Sequence, residues 1–550
     1  MAHPKGTRAR VLLSSVFGPF ARDDEFGSRT INPMELYQNQ VTRAQGPFSL
    51  RMFHRSWGIL LIQHNIPAPS TVLDFPTREA FVRELQEGRY DIVGLSGIIV
   101  NVGKIREMCR LVREYSPAST IVVGGHVAAI PSLSRMIDAD TTVKGEGIRW
   151  FREYLGADPD APIVHPPLRS SFGMRVMGMR SVDGAGNPAA TIIPSVGCPI
   201  GCSFCTTSAF FGGKGKSVTF FERGEDIYKV MCKAEAALGV QCFFIMDENF
   251  LLNRKRAIEL LDCMHRGRKA WMMYVFSSAN AIAKYSIREL VELGVTWIWL
   301  GLESPHSTYA KLSGTNTMAL VQELQRNGIR VLGSTIIGLE HHTPDNIVAE
   351  IEHAVAHDAD CHQFMLYTPV PGTPLYEDVE AQGRLLPDVD LADIHGQWKF
   401  NFRHEAISHD ESKTLLDWAF DLDYARNGPS LFRLMRTMFE GWKRYRNDPN
   451  PLVRERVRFE ARQLRTGYGA ALWAMEKYLR DTNREVSARI QELRLEIERE
   501  LGIVSRLVDH IAGPVALWAS RRENRLFPQG KPLEPRMFVD RRNWAGAEES

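Results

Sequence analysis

Cysteine is scarce in this chain of 550 residues: there are eight, and only three of them cluster. That excludes a disulfide-stapled scaffold and points to a reducing compartment, where grouped thiols serve as metal ligands or redox groups. Long apolar runs are missing as well. No stretch approaches the roughly 18–20 residues that a membrane span needs. The apolar run beginning at Val11 ends early, on Gly18, so a buried first strand is expected there rather than a signal peptide. Excess charge of either sign is also lacking, with 67 Lys and Arg against 65 Asp and Glu. Nothing global therefore calls for nucleic acid or a membrane. Short repeats and low-complexity tracts are absent. The apolar fraction of 44% and charged fraction of 24% are those of ordinary globular protein. At about 150 residues per domain the length suits three or four domains. The expectation is a cytoplasmic protein with a small-molecule substrate and no nucleic-acid partner.

Residues 8–155 alternate strand and helix. Val11–Ser15, Thr71–Phe75, Tyr90–Ser96 and the run from Thr120 to Gly125 read as strands. Thr77–Glu87 reads as a helix opened by a Thr cap, and Val102–Tyr115 as an amphipathic helix. Leu50–Asn65 also carries helical periodicity. The rhythm predicts an α/β, doubly wound, flavodoxin-like sheet over residues 1–155, with a ligand crevice at the strand C-termini. Pro159, Pro162, Pro166 and Pro167 mark 156–188 as a linker with room for a hairpin. From 189 to 400 a second alternation has strands beginning at Thr191, Cys242, Met272, Trp297, Val331 and Gln363. Six βα units predict a partial (β/α)6 barrel with its chemistry at the strand C-terminal ends. Beyond about residue 400 strand signals stop, and 401–550 is expected to be α-helical. Segments 411–446, 451–480 and 483–508 read as helices, the last with Val486, Ile490, Leu493, Ile497, Leu501 and Val504 on one stripe. Residues 431–530 hold 20 Lys and Arg against 13 Asp and Glu. That surplus suits a solvated helix face, an acidic substrate or peripheral contact with a membrane surface.

The chemistry gathers in Pro194-Ser-Val-Gly-Cys198-Pro-Ile-Gly-Cys202-Ser-Phe204-Cys205. A strand runs into a tight loop that draws three thiols together. Thiolates ligate iron–sulfur clusters, and a [4Fe–4S] cube takes four ligands. Three would leave one iron open to an exogenous molecule, as catalytic zinc keeps an open position. The alternatives are a zinc site short of its fourth ligand and ordinary core cysteines.

This stretch resembles the signature of the radical S-adenosylmethionine (radical SAM) superfamily, with Phe204 as the aromatic before the third cysteine. The resemblance implies a [4Fe–4S] cluster on Cys198, Cys202 and Cys205, with S-adenosylmethionine chelated to the open iron and cleaved to a 5′-deoxyadenosyl radical. It implies an acidic residue on the methionine amino group, assigned to Glu248 with Asp247 as competitor. Ser277, Ser278 and Asn280 would meet the methionine carboxylate or the ribose. Gly301-Leu-Glu303-Ser304 resembles the family's G-[IL]-E-S element, and Ile336 and Gly338 stand where relatives flank the adenine. The usual continuation after Gly338 is altered here to Leu339-Glu340-His341-His342.

A doubly wound domain ahead of such a core is similar to the cobalamin-dependent branch, which includes magnesium-protoporphyrin ester cyclase-like proteins. Ser96-Gly97, Gly124-Gly125-His126 and Gly145-Glu146 carry that likeness, as does the run from Tyr367 to Tyr376. The resemblance spans residues 8–385. The D-x-H-x-x-G motif that supplies an axial histidine is absent, and Asp393-Ile-His395-Gly396 has the wrong spacing and lies outside the domain. His126 is read as a packing or tail contact. The implied activity is methylation of an unactivated carbon of a small metabolite, with an electron donor such as flavodoxin or ferredoxin. An oxidative cyclase or ring-rearranging enzyme is the alternative within the fold. A cobalamin or cluster sensor without turnover is the alternative of another class.

Overall fold

The computed structural model describes residues 2–18, 25–26, 35–182, 189–304, 312, 315–526 and 537–544. The front sheet is built on Val11–Ser15, a strand buried along its whole length. It pairs in parallel with Ser70–Asp74 on one side and Ile92–Ser96 on the other. Thr120–Gly124 and Thr141–Thr142 extend the second side. The chain thus changes direction across its first strand, which opens a crevice at the strand C-termini. Two of the expected helices form as read: Thr77 caps Arg78–Gly88 by accepting from the Ala80 amide, and Val102–Tyr115 is helical throughout.

Two expectations change here. Leu50–Asn65 is not one helix: Arg51–His54 is a strand, and only Trp57–Gln63 is helical. The strand pairs with Ser171–Val176, whose hairpin partner is Met179–Val182, so the expected hairpin recruits a strand from far upstream. The C-terminal third is not wholly helical either. Phe538–Arg542 returns to the front sheet and pairs antiparallel with Ser70–Asp74.

The second sheet has six parallel strands, Ala189–Ile192, Cys242–Ile245, Met272–Ser277, Val295–Gly301, Arg330–Ile337 and Cys361–Leu366, in chain order. Leu168–Arg169 caps the free edge antiparallel. The first and last parallel strands do not meet, so the barrel is open. The short helix Leu36–Gln40 closes onto the last strand, with Gln363 Nε2 donating to Gln40 Oε1 at 2.8 Å. Inside, Phe276 stacks on Trp299 at 5.0 Å and Tyr274 on Trp297 at 5.1 Å, a filled interior rather than a pore.

The three expected C-terminal helical segments form six helices, breaking where Gly428 (φ 79°) precedes Pro429, after Arg465 and at Gly502 (φ 89°). Val486, Ile490, Leu493, Ile497 and Leu501 are buried as one stripe in a core shared with the barrel; the Val504 side chain lies outside the described residues. Phe400 and Phe402 are buried in a core with Phe420, and neither they nor Trp398, His404, Trp418 and Tyr424 reach the cavity described next.

Candidate functional site

One cavity of about 540 Å³ lies where the C-terminal ends of both sheets face each other. Its centre is the cysteine loop between the strand Ser195–Val196 and the helix Thr206–Phe210. Gly201 turns this loop with φ 74°, and a Cβ there would stand 2.5 Å from Lys214 Cα; only glycine fits. The Ser208 hydroxyl donates to the Cys198 carbonyl at 2.7 Å, and the Ser208 amide points at Cys205 Sγ at 3.5 Å. All three thiols are half-buried and line the cavity. Burial pushes the Cys198 thiol up to about 11, and Cys205, Cys202 and Glu248 add to the rise. Three thiols that line one cavity and feel one another's charge form a donor set that fits an iron–sulfur cluster.

Beyond the second barrel strand, Asp247 and Glu248 take opposite roles. Asp247 accepts from the Ser195 hydroxyl at 2.5 Å and the Asn249 amide at 3.1 Å, and pairs with the buried Arg256 guanidinium. Its lone pairs are spent tying the strand before the cysteine loop to the helix Arg254–Arg266. Glu248 faces the cavity. The Gly197 amide reaches it, but its Oε2 is buried without a hydrogen-bond partner. Burial, reinforced by Asp247, raises its carboxyl to about 7. A buried carboxylate oxygen without a donor suits an incoming ammonium group.

Ser277 and Ser278 also line the cavity, organised by a residue that sequence reasoning missed. Asn249 Oδ1 accepts from the Ser277 hydroxyl at 3.2 Å and the Ser278 amide at 3.1 Å. Asn280 does not reach the cavity; its Oδ1 accepts from the Ser278 hydroxyl at 2.6 Å, one layer behind. Glu303 lies on the wall with φ 47°, a left-handed conformation that costs a residue with a Cβ about 1–2 kcal/mol. Ile336 lines the wall and Phe204 packs edge-on to Tyr367 beside it. Gly338 departs from expectation. It is off the wall, and a Cβ there would fall 2.2 Å from the Phe400 ring, so packing requires the glycine. His342 Nδ1 accepts from the Gly338 and Leu339 amides at 3.0 and 3.2 Å, which stitches the altered turn.

The front domain supplies the opposite wall through Ile98, Ile99, Val100 and His126. The His126 ring lies 4.6 Å from Phe210, just past the cysteine loop, and burial lowers its pKa to about 4, so it is neutral at ordinary pH. Gly97 and Gly125 lock two loops together: a Cβ on Gly125 (φ 78°) would stand 2.6 Å from the Gly97 carbonyl, and the Val127 amide donates to that carbonyl at 3.0 Å. A Cβ on Gly97 would meet Ile105 at 3.2 Å, and the Ser96 hydroxyl lies against Gly125. A Cβ on Gly145 would meet nothing within 4 Å, and one on Gly124 only the Val143 carbonyl at 3.8 Å, so both leave backbone that a large flat ligand can approach. Glu146 is off the cavity wall, and its carboxylate caps the helix Gly147–Tyr154 by accepting from the Ile148 and Arg149 amides. His395 and Gly396, set aside on spacing, do line the cavity. Ile98–Val100 carried one signal, an apolar run continuing past a strand end where a polar loop is the norm.

The chain matches the B12 binding domain family over residues 62–155 and the Radical SAM superfamily over residues 192–371. An uncharacterized methyltransferase of Pyrococcus horikoshii is 26% identical over 54% of this chain and 71% of its own length. The bacteriochlorophyllide d C-8(2)-methyltransferase of Chlorobaculum tepidum is 22% identical over 66% and 83%. The anaerobic magnesium-protoporphyrin IX monomethyl ester cyclase of Cereibacter sphaeroides is 24% identical over 60% and 58%. The radical S-adenosylmethionine methyltransferase TsrM of Kitasatospora setae, solved with cobalamin and a [4Fe–4S] cluster bound, shares the fold at TM-score 0.51 and 18% identity, over 83% of this chain and 99% of its own. The chain thus carries a B12 binding domain and a radical SAM domain whose strand ends face one cavity, and the cofactors of the enzyme that this pairing implies are a [4Fe–4S] cluster, S-adenosylmethionine and cobalamin.

Proposed function

We propose that the enzyme methylates a carbon atom of a small molecule. The observation that carries this reading is the shared cavity, in which Ile98–Val100 and His126 of the front domain face Cys198, Cys202 and Cys205. When bound, the cluster and S-adenosylmethionine supply a 5′-deoxyadenosyl radical, and cobalamin supplies a methyl group that leaves as a neutral radical. The chain's own residues bind, orient and exclude water. Three thiolates hold the cluster. Glu248 receives the methionine ammonium, and Ser277 and Ser278, positioned by Asn249, meet its polar remainder. Gly124 and Gly145 would let backbone approach the cobalamin, and the neutral His126 would pack beside it. Phe276 and Trp299 form a dry floor on which a radical is shielded from solvent. Residues 1–155 are assigned to cobalamin, 156–188 to the connection, 189–400 to the radical chemistry and 401–526 to helical support. The electron comes from a small redox protein such as flavodoxin or ferredoxin. Methyltransferases among the relatives support the reading. The cyclase relative makes ring closure the competing outcome.

The test is product stoichiometry with cobalamin, reductant and candidate substrates. Methyl transfer yields 5′-deoxyadenosine and S-adenosylhomocysteine in equal amounts, with labelled methyl in the product. Deoxyadenosine alone overturns methylation in favour of cyclisation or rearrangement, and no deoxyadenosine at all would leave a sensor.

A further inference from the structure

We propose that the helix Ile503–Leu526 docks the protein on an anionic membrane surface. No helix among the described residues is long and apolar enough to cross a membrane, so the contact concerns a helix lying in the interface. On this helix Leu507, Ile511, Val515 and Trp518 are 56%, 72%, 64% and 62% exposed. Their spacing of four, four and three residues sets them on one stripe, about 16 Å long at 1.5 Å per residue. A water-facing stripe normally carries charges of both signs; this one is apolar.

The charges on the helix make the case specific. Its two acidic residues, Asp509 and Glu523, are buried. Glu523 pairs inward with Arg175, and Asp509 sits against Gly469. Arg506, Arg521, Arg522 and Arg525 are exposed, so every ionised group that this helix presents to solvent is cationic. The Arg522 guanidinium lies 5.6 Å over the Trp518 ring, an aromatic–cation pair suited to the headgroup layer. An apolar stripe flanked only by bases is complementary to anionic headgroups over a hydrocarbon boundary. A second copy of the chain fits poorly, because two such faces bring arginines together with no exposed carboxylate on the helix to receive them. The apolar surface also extends sideways. A Cβ on Gly178, at the turn of the neighbouring hairpin, would stand 2.9 Å from the Ala519 carbonyl. The flanking Met174 and Met179 are exposed and line a second cavity of about 500 Å³.

This inference stands independently of methyl transfer. Full-length holoenzyme is sedimented with phosphatidylglycerol–phosphatidylcholine vesicles and with phosphatidylcholine vesicles alone. Binding is expected on the anionic vesicles, weaker on neutral ones and reduced by added salt. Ile511→Glu with Trp518→Glu should weaken it by about tenfold or more, and Arg521→Glu with Arg522→Glu should remove its preference for anionic lipid. Val348→Glu, at an exposed apolar site on the helix Ile347–Ala356, should bind as wild type. All variants should still cleave S-adenosylmethionine in solution, which separates lost docking from lost folding. The proposal fails if wild type stays in the supernatant with anionic vesicles, or if the Ile511/Trp518 variant binds unchanged. It fails equally if wild type is a dimer without lipid that those substitutions dissociate, which would give the face to a second copy.

Discussion

Asp247 and Glu248 are adjacent carboxylates, and exchanging each for its amide should have opposite effects. Asp247→Asn leaves the buried Arg256 guanidinium without its counter-charge, and breaking a buried pair in this way costs roughly 3–5 kcal/mol. For a domain of this size that lowers the midpoint of thermal unfolding by roughly 6–20 °C. Glu248→Gln removes a charge that burial disfavours. A carboxyl raised from 4.5 to about 7 corresponds to up to about 3 kcal/mol against the ionised form. Because the folded value is raised, Glu248 favours the fold below pH 4.5, and that contribution is lost as pH climbs through about 7. The Gln variant should therefore match or exceed the wild-type midpoint at pH 8, with the gain fading as pH falls towards 4.5. It should also lose roughly tenfold to hundredfold in affinity for S-adenosylmethionine, the worth of one charged hydrogen bond. Differential scanning calorimetry across pH and isothermal titration of the reconstituted protein read both quantities. A stable Asp247→Asn that no longer binds S-adenosylmethionine, beside an unstable Glu248→Gln that still does, would show the two roles to be reversed.

Three further outcomes follow from the same geometry. Anaerobically reconstituted protein should carry about four irons and lose its ~400 nm absorbance when Cys198, Cys202 and Cys205 are replaced together by Ala; Cys232→Ala and Cys242→Ala should keep it. A Cβ on Gly124 meets only the Val143 carbonyl, at 3.8 Å, so with Gly124→Ala the unfolding midpoint should hold while affinity for hydroxocobalamin, read by gel filtration and absorbance, falls. Burial and Glu498 raise Asp509 to about 7, so its contribution to stability is full below its unfolded value and declines as pH rises through about 7. Asp509→Asn should flatten that decline in urea titrations between pH 5 and 8.

Much of this was legible in the sequence because two periodicities dominate. Strands and helices of both sheets declare themselves, and the cysteine spacing, with an acidic pair at the next barrel strand end, needs no structure to be seen. What escaped depends on which way a loop residue faces once the sheets have met. Glu146 follows a glycine at a strand end, where a ligand contact and a helix cap look alike, and only the position of the next helix decides for the cap. Gly338 owes its identity to Phe400, 62 residues later. Ile98–Val100 and His395 become walls only because the front domain and the segment past the barrel close over one another. The strand Phe538–Arg542 follows a long helical region and has charged residues at three of its five positions, so its alternation is faint. The exposed stripe near the C-terminus was invisible for a related reason: its residues look like core residues until the packing leaves them outside.

That late strand has a consequence for how the molecule is made. The Thr71 hydroxyl accepts from Arg541 at 3.0 Å across 470 residues of chain, and Arg541 also binds Glu84 at 2.8 Å. Domains emerging from a ribosome fold from the N-terminus onward, yet here the first sheet keeps an open edge until Phe538–Arg542 has been synthesised. Until then its backbone donors and acceptors along Ser70–Asp74 remain a template for any passing strand. The nascent chain is thus most prone to mispairing not while its barrel is half made but throughout the wait for Phe538–Arg542. A truncation before residue 538 should burden the cell with aggregation rather than merely lost activity.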